Sequence, residues 1–136
     1  MKKYYLFIIK KEYINIYKNK SYVLYKLLES LYYTKPYDFS YAKNIYNELS
    51  NNISVKLLNN YINERIGHKK INNLIKLNSK NELTYLNIMY PCIIVYSNKL
   101  SKIFKVFNIY NRNIFVCNFN DKDYFWLNEY LKHRQV

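Results

Sequence analysis

The sequence has 136 residues, half of them hydrophobic, which is enough for one domain with a core and too short for two. Its net charge is +13, and the lysines are spread along the chain rather than gathered in a basic tail. This charge has two interpretations, an attraction for polyanions or a soluble surface rich in lysine, and the single glycine excludes a glycine-rich phosphate loop.

The first predicted elements are a strand and a short helix. Residues 4–9 are apolar on both alternating faces, which is typical of a central strand that is covered on both sides. Residues 12–18 are predicted to form a helix with Tyr13 and Tyr17 four positions apart on one face, Ile16 beside them and Ile14 elsewhere. Because other apolar residues are expected to hold this helix to the sheet, we predict that the two tyrosines are exposed.

Three further helices are predicted in the middle of the chain. Ser21 is expected to cap a helix that continues to about residue 33, and Asp38 or Ser40 to cap a second one. Ser54 is expected to cap a third helix, and Gly67 follows its apolar stripe, where a left-handed residue is favoured.

The core stripes expected for these helices have the spacing of one helical face. They are, in chain order, Leu24, Leu27, Leu28 and Leu31; then Tyr41, Ile45 and Leu49; then Val55, Leu58, Ile62 and Ile66.

The C-terminal half changes pattern. Ile71, Leu74 and Ile75 suit another short helix, although a strand is an alternative. Residues 83–89, 92–96 and 114–119 are predicted strands, with a helix over 100–107. A strand, helix and strand in succession indicate a right-handed crossover and parallel pairing.

We therefore predict that residues 1–136 form one α/β domain. A single mixed sheet of about four or five strands would be packed by helices and would contain a β-α-β unit in its C-terminal part.

The sequence offers little for catalysis, cofactors or metal. Cys92 and Cys117 lie inside apolar runs without a paired cysteine or histidine, so they are expected to be buried free thiols. His68 and His133 are interpreted as surface residues. The early apolar run is too short for a signal peptide, and no stretch approaches the roughly 20 apolar residues of a membrane span. We expect a non-enzymatic cytosolic protein that binds no membrane.

Two terminal stretches resemble a known family. Residues 118–128 read NFNDKDYFWLN, and residues 4–17 read YYLFIIKKEYINIY. Together they resemble the closing motif and the opening strand and helix of the SirA family, the sporulation inhibitors of replication. The chain departs from the family at Glu129, where a proline commonly follows Trp-Leu-Asn.

The resemblance implies a function and a binding site. Members of this family bind domain I of the replication initiator DnaA and block new rounds of replication. The partner-binding residues of the family correspond here to Tyr13, Asn15 and Tyr17, and to Tyr46 on a middle helix. Trp126 is interpreted as core rather than contact surface, packing the C-terminal segment on the edge of the sheet. The alternative is a nucleic-acid-binding protein, because tyrosine rings stack on bases and the chain is basic.

Overall fold

The computed structural model describes residues 1–34, 39–51, 53–65, 68–71, 74–79, 82–89, 92–98 and 101–134. The first half contains β1 (Lys2–Ile8), α1 (Lys11–Tyr17), α2 (Ser21–Tyr32), α3 (Phe39–Leu49) and α4 (Val55–Arg65). The second half contains β2 (His68–Ile71), β3 (Leu74–Ser79), β4 (Glu82–Met89), β5 (Cys92–Ser97), α5 (Ser101–Tyr110), β6 (Ile114–Asn118), β7 (Asp123–Trp126) and α6 (Leu127–Arg134).

The strands form one seven-stranded sheet in the order β2-β3-β4-β5-β1-β6-β7. This confirms the predicted α/β class with helices packed on a single sheet. Every neighbouring pair of these strands is antiparallel, and β1 pairs with β5 on one side and β6 on the other. The sheet is therefore larger than the four or five strands that the sequence predicts, and in the described strands it is antiparallel rather than mixed.

The central position of β1 corrects one prediction about pairing. Because β1 is antiparallel to both neighbours, β5 and β6 run in the same direction, as predicted, but they do not pair with each other. The segment from β5 through α5 to β6 crosses over β1. The physical reason lies in β1 itself, since residues 4–8 are buried on both faces, and a central position under helices on each side of the sheet provides that burial.

Helices cover both faces of this sheet, and alternate residues of β1 contribute to two cores. Leu6 and Ile8 belong to the first core, which is covered by α4, α5 and α6. Tyr5 and Phe7 belong to the second core, which is covered by α2 and α3, with α1 at its margin. Each fully buried side chain of this size stabilises the fold by about 1.5–3 kcal/mol.

The predicted helices of the first half are present, with differences at their ends. Ser54 caps α4 as predicted, because its Oγ accepts a hydrogen bond from the Leu57 amide at 3.3 Å. Ser21 and Ser40 instead lie within the first turn of their helices. Asp38, Ile66 and Gly67 lie outside the described residues.

The predicted core stripes are right for α2 and partly wrong for the next two helices. Leu24, Leu28 and Leu31 of α2 are buried, and Leu27 is half-buried. In α3 the stripe is rotated, so that Ala42 is buried and Tyr41 is 64% exposed. In α4, Val55 is likewise exposed, since it lies in the first turn.

Three strands, β2, β3 and β7, were not predicted as the first choice. The stretch around Ile71, Leu74 and Ile75 forms the β2–β3 hairpin, which confirms the strand alternative and not the short helix. The periodicity of a short apolar run does not distinguish a helix from a strand. In the structure, pairing of β3 with β4 decides that residues 74–79 form a strand. Likewise β7 forms because its backbone pairs with β6 at the end of the sheet.

Candidate partner-binding surface

Helix α1 lies where the end of β1 meets the end of α3. The Lys10 amide donates a hydrogen bond to the Leu49 carbonyl at 2.8 Å, and the Asn51 amide donates to the Ile8 carbonyl at 2.9 Å. The side chain of Lys10 also donates to the Asn47 carbonyl at 2.7 Å. These contacts place α1 beside α3 on the second face of the sheet.

Tyr13 links the two helices directly. Its hydroxyl donates a hydrogen bond to the carboxylate of Glu48 on α3. This hydrogen bond is the main cause that raises the pKa of Tyr13 to about 12, and partial burial adds to it. The hydroxyl is therefore protonated at neutral pH and already engaged within the chain.

The apolar side of α1 differs from the prediction. Tyr13, Ile14 and Tyr17 are half-buried against the second core, whereas Ile16 is 51% exposed and Asn15 is exposed. The prediction that both tyrosines are exposed is therefore wrong, because each is half-buried. A helix of only seven residues has few side chains to attach it, and its aromatic rings supply that attachment.

Tyr46 lies on α3 and belongs to the same face of the sheet. Its ring is half-buried and stacks on Phe7 of β1, with the ring centroids 6.1 Å apart and the planes 8° from parallel. The structure thus brings Tyr13, Tyr17 and Tyr46 against one core, on two adjacent helices. We call the outer side of these helices the α1–α3 surface, formed by Tyr13, Asn15, Ile16, Tyr17 and Tyr46.

A groove of about 490 Å³ lies on the other side of α1. Its walls come from α1 and the turn that follows it, the loop after α5, the end of β7 and α6. Trp126 lines the groove and packs edge-to-face on the buried ring of Phe115, with centroids 4.9 Å apart. This contact confirms that Trp126 packs on the sheet, but its ring is half-buried rather than fully in the core and is also open to the groove.

This groove was not predicted from the sequence. Its lining residues are separated by up to 118 positions, from Ile14 to Lys132. No local pattern of spacing indicates such a site, because only the packing of α1 near α6 assembles it.

The turn between β6 and β7 is held by side-chain hydrogen bonds. The buried Asn118 donates from Nδ2 to Asp121 Oδ2 at 2.9 Å and accepts at Oδ1 from the Asp121 amide at 3.1 Å. Lys122 has a φ angle of 53°, in the left-handed region. The polar residues before Trp126 therefore form a turn, as predicted.

A scan against protein-family models finds no match, and a search of curated proteins finds none either.

The two cysteines are buried free thiols, as predicted. Burial raises the pKa of the Cys92 thiol to about 12 and that of the Cys117 thiol well above its usual range. Both thiols are therefore protonated at neutral pH. Within the described ranges, no group of three or more His, Cys, Asp or Glu side chains could hold a metal ion. His133 is exposed, as predicted, and His68 lies in β2.

No helix in the described part of the chain is long and apolar enough to cross a bilayer.

Proposed function

We propose that this protein is a non-enzymatic, cytoplasmic inhibitor of chromosome replication that binds domain I of the initiator DnaA. Two lines support the proposal. The resemblance of the two terminal stretches to the SirA family suggests the partner, and the α1–α3 surface suggests where it binds. Inhibition would follow from occlusion, since a rigid protein seated on domain I competes with other proteins that use it.

The observation that carries the proposal is the exposure of two neighbouring residues of α1, Asn15 and Ile16. Ile16 places a 51% exposed aliphatic side chain next to the exposed amide of Asn15. The half-buried rings of Tyr13 and Tyr17 flank them. A mixed apolar and amide surface supported by rigid rings is typical of protein interfaces, in which a few aromatic anchors contribute most of the binding free energy.

The burial of the tyrosines changes how the surface must be tested. Replacing Tyr17 with alanine is expected to weaken binding roughly thirtyfold, because a buried aromatic anchor contributes about 2 kcal/mol. The same change also removes contacts with the core of this chain. A loss of binding in that variant, or in Tyr13→Ala, is therefore informative only if thermal unfolding shows that the variant is folded.

Ile16 gives the cleaner test. The exposed half of its side chain can contribute about 1 kcal/mol when a partner covers it, so Ile16→Ala is expected to weaken binding about fivefold. Its matched control is Leu57→Ala, because Leu57 is 65% exposed on α4, over the opposite face of the sheet. Calorimetric titration with purified DnaA domain I measures both.

The outcomes separate the partner from the site. If the unchanged protein fails to bind domain I, the proposed partner is wrong. If it binds and Ile16→Ala weakens binding no more than Leu57→Ala, the partner is right and the α1–α3 surface is the wrong site.

The second candidate is nucleic-acid binding, and the net charge of +13 together with exposed rings favours it. Tyr22 is 60% exposed on α2, and the ammonium of Lys26 lies 5.8 Å from the centre of its ring. Such binding would weaken steeply with salt, because it would release counterions from the phosphates. A mobility shift with DNA at physiological salt, without DnaA, would favour this function over the first.

A further inference from the structure

The groove beside α1 carries an excess of positive charge. Lys18 follows α1, Arg112 lies in the loop after α5, and Lys132 lies on α6. The one carboxylate among the lining residues is Glu129, which forms an ion pair with Lys132 at 3.5 Å. Three cations against one carboxylate leave two positive charges in excess. We call this site the α1–α6 groove and define it by Lys18, Arg112, Trp126, Glu129 and Lys132.

Lys18 and Arg112 are not engaged in ion pairs within the described part of the chain. Among the described residues, no carboxylate lies within ion-pair distance of Lys18 or of Arg112. One guanidinium nitrogen of Arg112 donates to Asn128 Oδ1 at 3.1 Å, which orients the group at the groove. An oriented guanidinium has further donors in a planar fork, and this geometry matches a carboxylate.

The uncharged lining favours a peptide rather than a nucleic acid. Ile14 and Trp126 provide apolar surface, and Asn15 and Asn113 provide amides. An amide both donates and accepts hydrogen bonds, which complements a peptide backbone, whereas a phosphate backbone offers only acceptors.

We propose that the α1–α6 groove binds an acidic segment of a partner protein. A carboxylate of that segment pairs with Lys18 and Arg112, and a neighbouring apolar side chain packs on Trp126 and Ile14. Tyr13, Ile16 and Tyr17 are not among the described lining residues of this groove, so the site extends beyond the proposed DnaA-binding surface, with which it shares Asn15. The proposal for the groove also holds whichever protein binds the α1–α3 surface.

Trp126 makes the groove directly observable, because it is the only tryptophan in the chain. The protein labelled with ¹⁵N therefore gives one indole N–H signal, which reports on this site. The probe is a short blocked peptide of Glu-Glu-Leu repeats, and the matched probe is the same peptide with Gln in place of Glu. The expected result is a saturable shift of the indole signal with the Glu peptide, at least about fivefold tighter than with the Gln peptide.

Two double variants test whether the positive charges of the groove bind the Glu peptide. Lys18→Gln combined with Arg112→Gln is expected to weaken binding of the Glu peptide at least about fivefold. Lys56→Gln combined with Lys105→Gln removes the same net charge from exposed positions on α4 and α5, and is expected to change it less than about twofold.

Glu129→Gln gives a test in the opposite direction. This change removes the carboxylate from the groove, so binding of the Glu peptide is expected to tighten by about twofold or more.

Four outcomes would overturn the proposal. They are an unmoved indole signal, equal binding of the Gln peptide, equal losses in the two double variants, and tighter binding of an oligodeoxythymidine than of the Glu peptide. The last would assign the groove to nucleic acid. A variant with a changed amide spectrum in the absence of peptide is replaced by the corresponding single substitution, so that a folding defect is not taken for a binding defect.

Discussion

Asn118→Ala tests whether the turn before Trp126 is held by one buried amide. The side chain of Asn118 is 3% exposed and makes two hydrogen bonds to Asp121, at 2.9 and 3.1 Å. Each such bond contributes about 1 kcal/mol, because the carboxylate of Asp121 is half exposed and its charge is screened. The substitution is therefore expected to lower the free energy of unfolding by about 2 kcal/mol, and the melting temperature by roughly 6 °C.

The measurement is urea unfolding followed by the fluorescence of Trp126 and, independently, by far-ultraviolet circular dichroism. The matched control is Asn120→Ala, since Asn120 is exposed in the same turn, and we expect a change within about 0.5 kcal/mol. If Asn118→Ala is as stable as this control, the turn is not held by the Asn118 side chain and the reasoning is refuted.

Asn118→Asp separates the two hydrogen bonds. Aspartate keeps an acceptor for the Asp121 amide but loses the donor to Asp121 Oδ2, and two carboxylates then face each other. Burial and this like charge raise the pKa of the new carboxyl in the folded state above its value in the unfolded chain. The variant is thus expected to be least stable, relative to the natural protein, above that raised pKa, and to recover as the pH falls through it. A loss of stability that does not change with pH would show that the two carboxylates do not repel each other.

The remaining predictions concern the backbone angle at Lys122 and the two thiols. Lys122→Gly is expected to stabilise the fold by up to about 1 kcal/mol, because glycine adopts the φ of 53° at Lys122 without steric cost, and a lower urea midpoint would contradict this. Cys92 and Cys117 are expected to resist Ellman's reagent in the folded protein and to react when it unfolds, and rapid labelling of the native state would show that they are accessible. Because burial raises the pKa of the Cys92 thiol to about 12, its contribution to stability is full below the unfolded pKa of about 8.5 and is lost as the pH rises from there to about 12.

Local features of the chain were predicted well where neighbouring residues decide the structure. The apolar run in β1 indicates a strand buried on both faces, and its position inside the sheet confirms this. Ser54 caps α4, and the spacing of Ile103, Phe104 and Phe107 places one buried face on α5. These signals act within one or two helical turns, so they can be read without knowing the rest of the fold.

The candidate binding surfaces were predicted less well. The sequence places Tyr13 and Tyr17 on one side of α1, which is right, but it does not show how much of that side α3 and the second core cover. The hydrogen bond from Tyr13 to Glu48 joins residues 35 positions apart. Burial of this kind depends on which helices become neighbours, and that is a property of the assembled sheet.

Composition, charge and local spacing by themselves determined a mixed α/β fold with buried thiols and a lysine-rich surface. Only the tertiary structure decided that β1 inserts between β5 and β6, that Ile16 rather than Tyr17 is the most exposed apolar residue of α1, and that Lys18, Arg112 and Lys132 share one groove. The physical reason is that strand pairing and helix packing join residues far apart in the chain. Their partners are selected by the burial available in the whole fold rather than by adjacent side chains.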